Sequence, residues 1–241
     1  MVAKVRVARD GGELGATVAE YVAALSAASG ERFVVAVSGG SMPGVLAALA
    51  HRRDIEFGKW EVFFADERCV PLDSPDSNYK ACNDALFSKL PGIRVHAIDP
   101  SLEPAKAAET YEKELMECGG VHLALLGAGP DGHTASLFPG HALFETPGSK
   151  LVDVILDSPK PPPARVTLTR AALAAAPNLA FIATGTSKAD LFKTIFVRQA
   201  DGEISYADPL PRYPITTLLS RSGVADWFTD AAAVAKVPSQ T

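Results

Sequence analysis

The run Leu125-Leu126-Gly127-Ala128-Gly129-Pro130-Asp131-Gly132-His133-Thr134-Ala135-Ser136-Leu137-Phe138-Pro139-Gly140 carries the first clear signal in the chain. An apolar stretch over 121–126 stops abruptly at a glycine-rich turn. Such a stretch reads as a buried parallel strand ending in a tight turn. In open α/β sheets, ligands bind at the carboxyl ends of strands. His133 therefore falls where a site belongs, and it is the one group of the turn able to take and return a proton near neutral pH.

The same pattern repeats on either side. Strands are expected over 4–8, 32–37, 61–65, 94–98, 151–156, 165–169, 179–184 and 224–228. Helices are expected over 13–29, 43–51, 78–90, 103–118, 170–176 and from 188 to about 197, with Gly30 stopping the first and residues 200–214 rich in turns. Strands alternating with helices imply a mainly parallel sheet covered on both faces. No internal repeat interrupts the alternation. A proline-rich loop at 159–163 is the only candidate seam, so one domain over residues 1–241 is expected.

Bulk properties narrow the function. The chain has 241 residues, 47% of them hydrophobic, and a mean hydropathy of +0.11, enough for a sizeable core. Aromatic residues are only 7%, so Ala, Val, Leu and Ile are expected to build it. A net charge of -5 and no basic stripe argue against nucleic-acid binding. The three cysteines, Cys69, Cys82 and Cys118, have no CxxC spacing and read as reduced thiols rather than a disulfide framework or zinc knuckle. The first residues are too few and too charged for a signal peptide, and no apolar run is long enough to span a bilayer. A cytoplasmic protein without membrane partners is expected.

Four strand ends carry chemistry. Ser38-Gly39-Gly40-Ser41 joins a strand to a helix, where backbone N–H groups and hydroxyls suit a phosphate. A plain turn with a serine cap is the alternative, and the spacing is neither a Walker loop nor a dinucleotide fingerprint. Asp66-Glu67-Arg68 follows a buried strand; Arg68 can grip an anion or a developing oxyanion, although alone the trio reads as a solvated turn. In Asp131-Gly132-His133, His133 suits a general base, with Asp131 fixing its tautomer or binding substrate hydroxyls or the turn's own N–H groups. Lys188, after Gly185-Thr186-Ser187, lies in the first turn of a helix, where a cation opposes the dipole unless an anion sits there. Arg165 can reach the same anion or be an ordinary surface cation. No HExxH or other ligand spacing supports a metal, and no Gly-x-Ser-x-Gly elbow supports a serine nucleophile. These sites suit metal-free acid/base chemistry on a small phosphorylated metabolite, with no cofactor.

Taken together, Ser38-Gly39-Gly40-Ser41, Asp66-Glu67-Arg68, Asp131 through Pro139, Arg165-Val166-Thr167 and Gly185-Thr186-Ser187-Lys188 resemble the glucosamine-6-phosphate isomerase/6-phosphogluconolactonase family, and its lactonases in particular. The resemblance runs from Val34 to Lys188, and DGHTASLFPG is its most specific part. It implies a Rossmann-like three-layer α/β/α fold shared with glucosamine-6-phosphate deaminase and ribose-5-phosphate isomerase. It implies hydrolysis of 6-phospho-D-glucono-1,5-lactone to 6-phospho-D-gluconate in the oxidative pentose phosphate pathway. His133, Arg68 and Asp131 would then be catalytic. Ser38, Gly39, Gly40, Ser41, Asp66, Arg165 and Lys188 would bind substrate and phosphate. The deaminases continue from their His to a Glu that supports ring opening; here that position is Phe138, and Arg68 stands where they have Tyr. Both departures favour the lactonase. An isomerase or deaminase of the same fold is the alternative enzyme. A non-catalytic sugar-phosphate-binding domain is the other reading, disfavoured because little chain precedes Val34 to hold a DNA-binding module. A monomer is expected, a dimer being the alternative.

Overall fold

The computed structural model describes residues 2–146 and 148–240. Its strands are β1 (Val2–Ala8), β2 (Phe33–Val37), β3 (Trp60–Phe64), β4 (Asp66–Arg68), β5 (Arg94–Val95), β6 (Leu123–Gly127), β7 (Val152–Ile155), β8 (Arg165–Leu168), β9 (Asn178–Ile182), β10 (Phe196–Arg198), β11 (Ile204–Tyr206) and β12 (Val224–Asp230). The α-helices are α1 (Gly11–Ala28), α2 (Met42–Leu46), α3 (Asn78–Ala85), α4 (Pro104–Glu117), α5 (Ala142–Glu145), α6 (Arg170–Ala175), α7 (Ala189–Ile195) and α8 (Pro214–Thr217).

Seven strands form one sheet in the order β1-β12-β9-β6-β2-β3-β5. Every pairing in it is parallel. Strands buried on both faces read as continuous apolar runs, and these do. Alternate side chains enter opposite cores: Val34, Ala36, Phe63, Ala124 and Leu126 face α4, α6 and α7. Phe33, Val35, Val37, Val62, Phe64, Leu123 and Leu125 face α1, α2 and α3. This is the three-layer α/β/α arrangement expected.

Four local expectations change. Asp66–Arg68 is not a loop but β4, and with β8 and β7 it forms a separate three-stranded antiparallel sheet. Strands 151–156 and 165–169 therefore lie outside the main sheet. The turn-rich 200–214 stretch contains half of a hairpin, β10–β11. Gly30 is not the helix stop: Ser29 leaves helical geometry first, and its N–H closes on Leu25 O. Lastly, aromatics are few but go inside. Trp60, Trp227 and eight phenylalanines are among the largest fully buried side chains.

The fold positions the site through the sheet order. β6 and β2 are central neighbours, with β9 and β3 beside them. Their carboxyl ends, and the turns that follow, converge on one side of the sheet.

Candidate active site

Those turns enclose a cavity of about 350 Å³. Ser38, Gly39, Gly40, Ser41, Asp66, Arg68, His133, Arg165 and Lys188 all line it. Asp131 stands just behind His133.

The turn after β6 is tied together by its own hydrogen bonds. Gly129 N donates to His133 O (2.8 Å), Gly132 N to Gly129 O (2.9 Å), and Thr134 Oγ1 to Gly127 O (2.7 Å). His133 Nδ1 is bonded to Asp131 Oδ1. A side chain on Gly129 would overlap both the His133 ring and the Asp131 carboxylate. Phe138 packs on the other side of the ring, centroids 4.7 Å apart. Because Nδ1–H is directed at Asp131, Nε2 carries the free lone pair. Burial pulls the His133 pKa below its ordinary 6.5, Lys160 adds to that, and Asp131 opposes it. Burial pushes the Asp131 carboxyl up, but the bonds to His133 and the nearby Lys160 leave it below its usual range. A neutral base is thus in place at neutral pH.

Lys160 is the residue sequence reasoning missed. It projects from the proline loop, with Nζ 3.4 Å from Asp131 Oδ2 and 3.2 Å from His133 Nδ1. Since Nδ1 holds the proton given to Asp131, the ammonium pairs with Asp131. The available signal was a lone cation in a stiff Pro-Lys-Pro-Pro-Pro run.

After β3, the three charges go three ways. Asp66 Oδ2 accepts from Ser136 Oγ (2.8 Å) and faces Arg165 Nη1 (3.5 Å). Glu67 turns inward to the start of α3, accepting from Asn78 N (2.8 Å), Tyr79 N (2.7 Å), Ser77 Oγ (3.1 Å) and Arg68 N (2.7 Å). Burial nevertheless pushes its carboxyl pKa up. Arg68 Nη1 donates to Asp76 O (2.6 Å), while its Nε is buried without a partner among the described residues.

The serine-glycine turn is held from both sides. Ser38 N donates to Leu125 O (3.0 Å), and Asn78 lies so close that a Cβ on Gly39 would overlap its carboxamide. Ser38 Oγ is buried with no hydrogen-bond partner among the described residues. Ser41 makes no side-chain cap on α2.

Arg165 is 3% exposed and differently engaged than a free anion-binding cation would be. Its Nε donates to Pro162 O (3.0 Å) and its Nη2 to Lys160 O (2.8 Å) and Pro161 O (3.1 Å), so it anchors the loop that carries Lys160. Lys188 lies in a 3-10 turn just before α7 rather than in the helix itself. Burial, then Lys160, lowers its pKa. Lys160 pairs with Asp131 and Arg165 with Asp66, which leaves Arg68 and Lys188 without carboxylate partners among the described residues.

A cavity with two uncompensated cations, an unpartnered hydroxyl and an oriented imidazole is equipped to hold an anionic substrate beside a base. A family model described as glucosamine-6-phosphate isomerases/6-phosphogluconolactonase matches residues 9–227. The chain belongs to this family. It is 41% identical over 238 residues to the 6-phosphogluconolactonase of Rattus norvegicus, covering 92% of this chain and 88% of that protein. Identity to the Homo sapiens 6-phosphogluconolactonase is 39% over 238 residues, with the same coverage. The crystal structure of the Thermotoga maritima 6-phosphogluconolactonase superposes with a TM-score of 0.78 at 31% identity, covering 95% of this chain and 99% of that one. Within this isomerase/lactonase family, the Phe138 ring against His133 bears on which of the two chemistries this chain performs.

Proposed function

We propose that the chain hydrolyses 6-phospho-D-glucono-1,5-lactone to 6-phospho-D-gluconate, a step of the pentose phosphate pathway, with His133 as general base. The observation that carries the mechanism is the His133 ring, fixed at Nδ1 by Asp131 with Nε2 left for water. Nε2 takes a proton from water as its oxygen attacks the lactone C1 carbonyl. Arg68 stabilises the tetrahedral oxyanion. The C1–ring oxygen bond then breaks, and protonated His133 returns its proton to the departing ring oxygen. The Ser38-Gly39-Gly40-Ser41 turn and Lys188 hold the phosphate, where an anion relieves the buried ammonium. Asp66 and Arg165 shape the floor and fix the Lys160 loop. This scheme uses side chains and water alone, all from one chain, so a monomer suffices and activity persists after dialysis against a chelator.

Phe138 favours the lactonase over amino-sugar isomerisation. Its ring, 2% exposed and packed on His133, offers no carboxylate for a ring-opening proton relay. The test is a coupled assay on freshly prepared phosphogluconolactone beside glucosamine 6-phosphate, corrected for spontaneous opening of the lactone. Proton release with the lactone alone is expected; ammonia from the amino sugar overturns the reading.

A further inference from the structure

We propose that Glu61, His96 and Cys118 form a zinc-binding site at the amino-terminal end of β3, outside the His133 cavity. A carboxylate oxygen, an imidazole nitrogen and the thiol sulfur lie within 4.8 Å of one another. They come from three places: β3, the residue after β5, and the residue that caps α4.

His96 is held as a metal-binding histidine is held. Its ring stacks on Phe63, centroids 4.2 Å apart and planes 6° from parallel. Its Nδ1 lies 2.9 Å from Glu114 Oε2. A ligating histidine usually gives its far N–H to such a carboxylate, which fixes the tautomer and aims the other nitrogen. Nε2 then faces Glu61 Oε2 at 2.8 Å and Cys118 Sγ at 4.0 Å. A neutral imidazole has one N–H, so it cannot serve both carboxylates. Held with its proton on Nδ1, the ring serves one carboxylate and offers Nε2, beside Glu61 Oε2, to a cation.

Glu61 is oriented for this role. Its Oε1 is taken by Arg94 (2.8 and 2.5 Å) and approached by Arg32 (3.5 Å), which leaves Oε2 turned toward His96. Tetrahedral zinc bonds of about 2.0–2.3 Å set neighbouring ligand atoms roughly 3.3–3.8 Å apart, so closing the site takes shifts of under about 1 Å. A mixed O, N and S set selects zinc over magnesium or calcium, which take oxygen. His96 keeps 22% of its side chain open to solvent, which gives the ion a way in and a water as fourth ligand. On binding, the Cys118 thiol proton, and any proton on His96 Nε2, leave to solvent; nothing is oxidised or reduced. The bound ion ties β3 to the end of α4.

The test uses the full chain and Co²⁺ as a spectroscopic probe. One equivalent is expected to give a thiolate-to-cobalt charge-transfer band, with proton release in weak buffer. Zn²⁺ bleaches the band and Mg²⁺ does not. Cys118→Ser abolishes the band while leaving metal-free hydrolysis unchanged. Glu114→Gln, which alters only the partner of Nδ1, weakens Co²⁺ binding by about 10–100-fold. A band that survives in Cys118→Ser, or none in the unsubstituted chain, overturns the proposal.

Discussion

His133 sets the pH behaviour of the molecule. The base form is the neutral ring, and burial holds its pKa below 6.5. More than half of the activity is therefore retained at pH 6.5, and it falls as the pH drops through that lowered value. His133→Ala should reduce kcat by about 10²–10⁴-fold in a folded protein, and near-normal turnover would remove it from the mechanism. Lys160 helps to lower the His133 pKa, so Lys160→Met should raise it. The acid limb of the kcat/KM profile then moves to higher pH, and an unmoved limb contradicts the assigned contact. Arg68 and Lys188 divide by kinetics. Lys188→Ala should chiefly raise KM and Arg68→Ala chiefly lower kcat. The reverse split would exchange their roles.

At the scale of elements, Glu67 shows why a charge run resists reading from sequence. Next to Asp66 and Arg68 it looks like a solvated turn. In the fold it replaces a ligand at the start of α3, accepting two of that helix's free N–H groups. Glu67→Gln keeps the shape but sets an NH₂ against one of those donors. A loss of about 1–3 kcal/mol in urea unfolding is expected; unchanged stability would mean the carboxylate anchors nothing. The strand ends, by contrast, were legible because each apolar run stops at glycine or a polar break after β2, β3, β6 and β9. What local pattern cannot encode is the partner. β4 pairs with β8, Asp66 facing Thr167, and nothing near either strand names the other. Lys160 was hidden for the same reason: its carboxylate, Asp131, lies in a distant turn. The hairpin β10–β11 was obscured by its short strands and the prolines that follow.

Across the whole molecule, β12 is the piece that ties the edge strand β1 to the rest of the sheet, lying between β1 and β9. Its Trp227 is fully buried, stacked on Phe181 at 4.4 Å and bonded through Nε1 to Tyr206 Oη (3.0 Å). Trp227→Ala should cost about 3–5 kcal/mol, followed by far-UV circular dichroism in urea. A cost below about 1 kcal/mol would show that the core closes around the gap.

The pairing of β1 with β12 also bears on how the protein is made. Val2–Ala8 is made long before Val224–Asp230, its only partner in the sheet among the described residues. While the residues between them are made, β1 is an unpaired strand, the kind of segment that recruits other chains. Lys4 and Arg6, set between its valines, guard it during that wait. When β12 arrives, Arg6 closes on Asp226 at 2.6 Å and lies over the Phe228 ring, so the charge that protected the nascent strand becomes the clasp of the finished one.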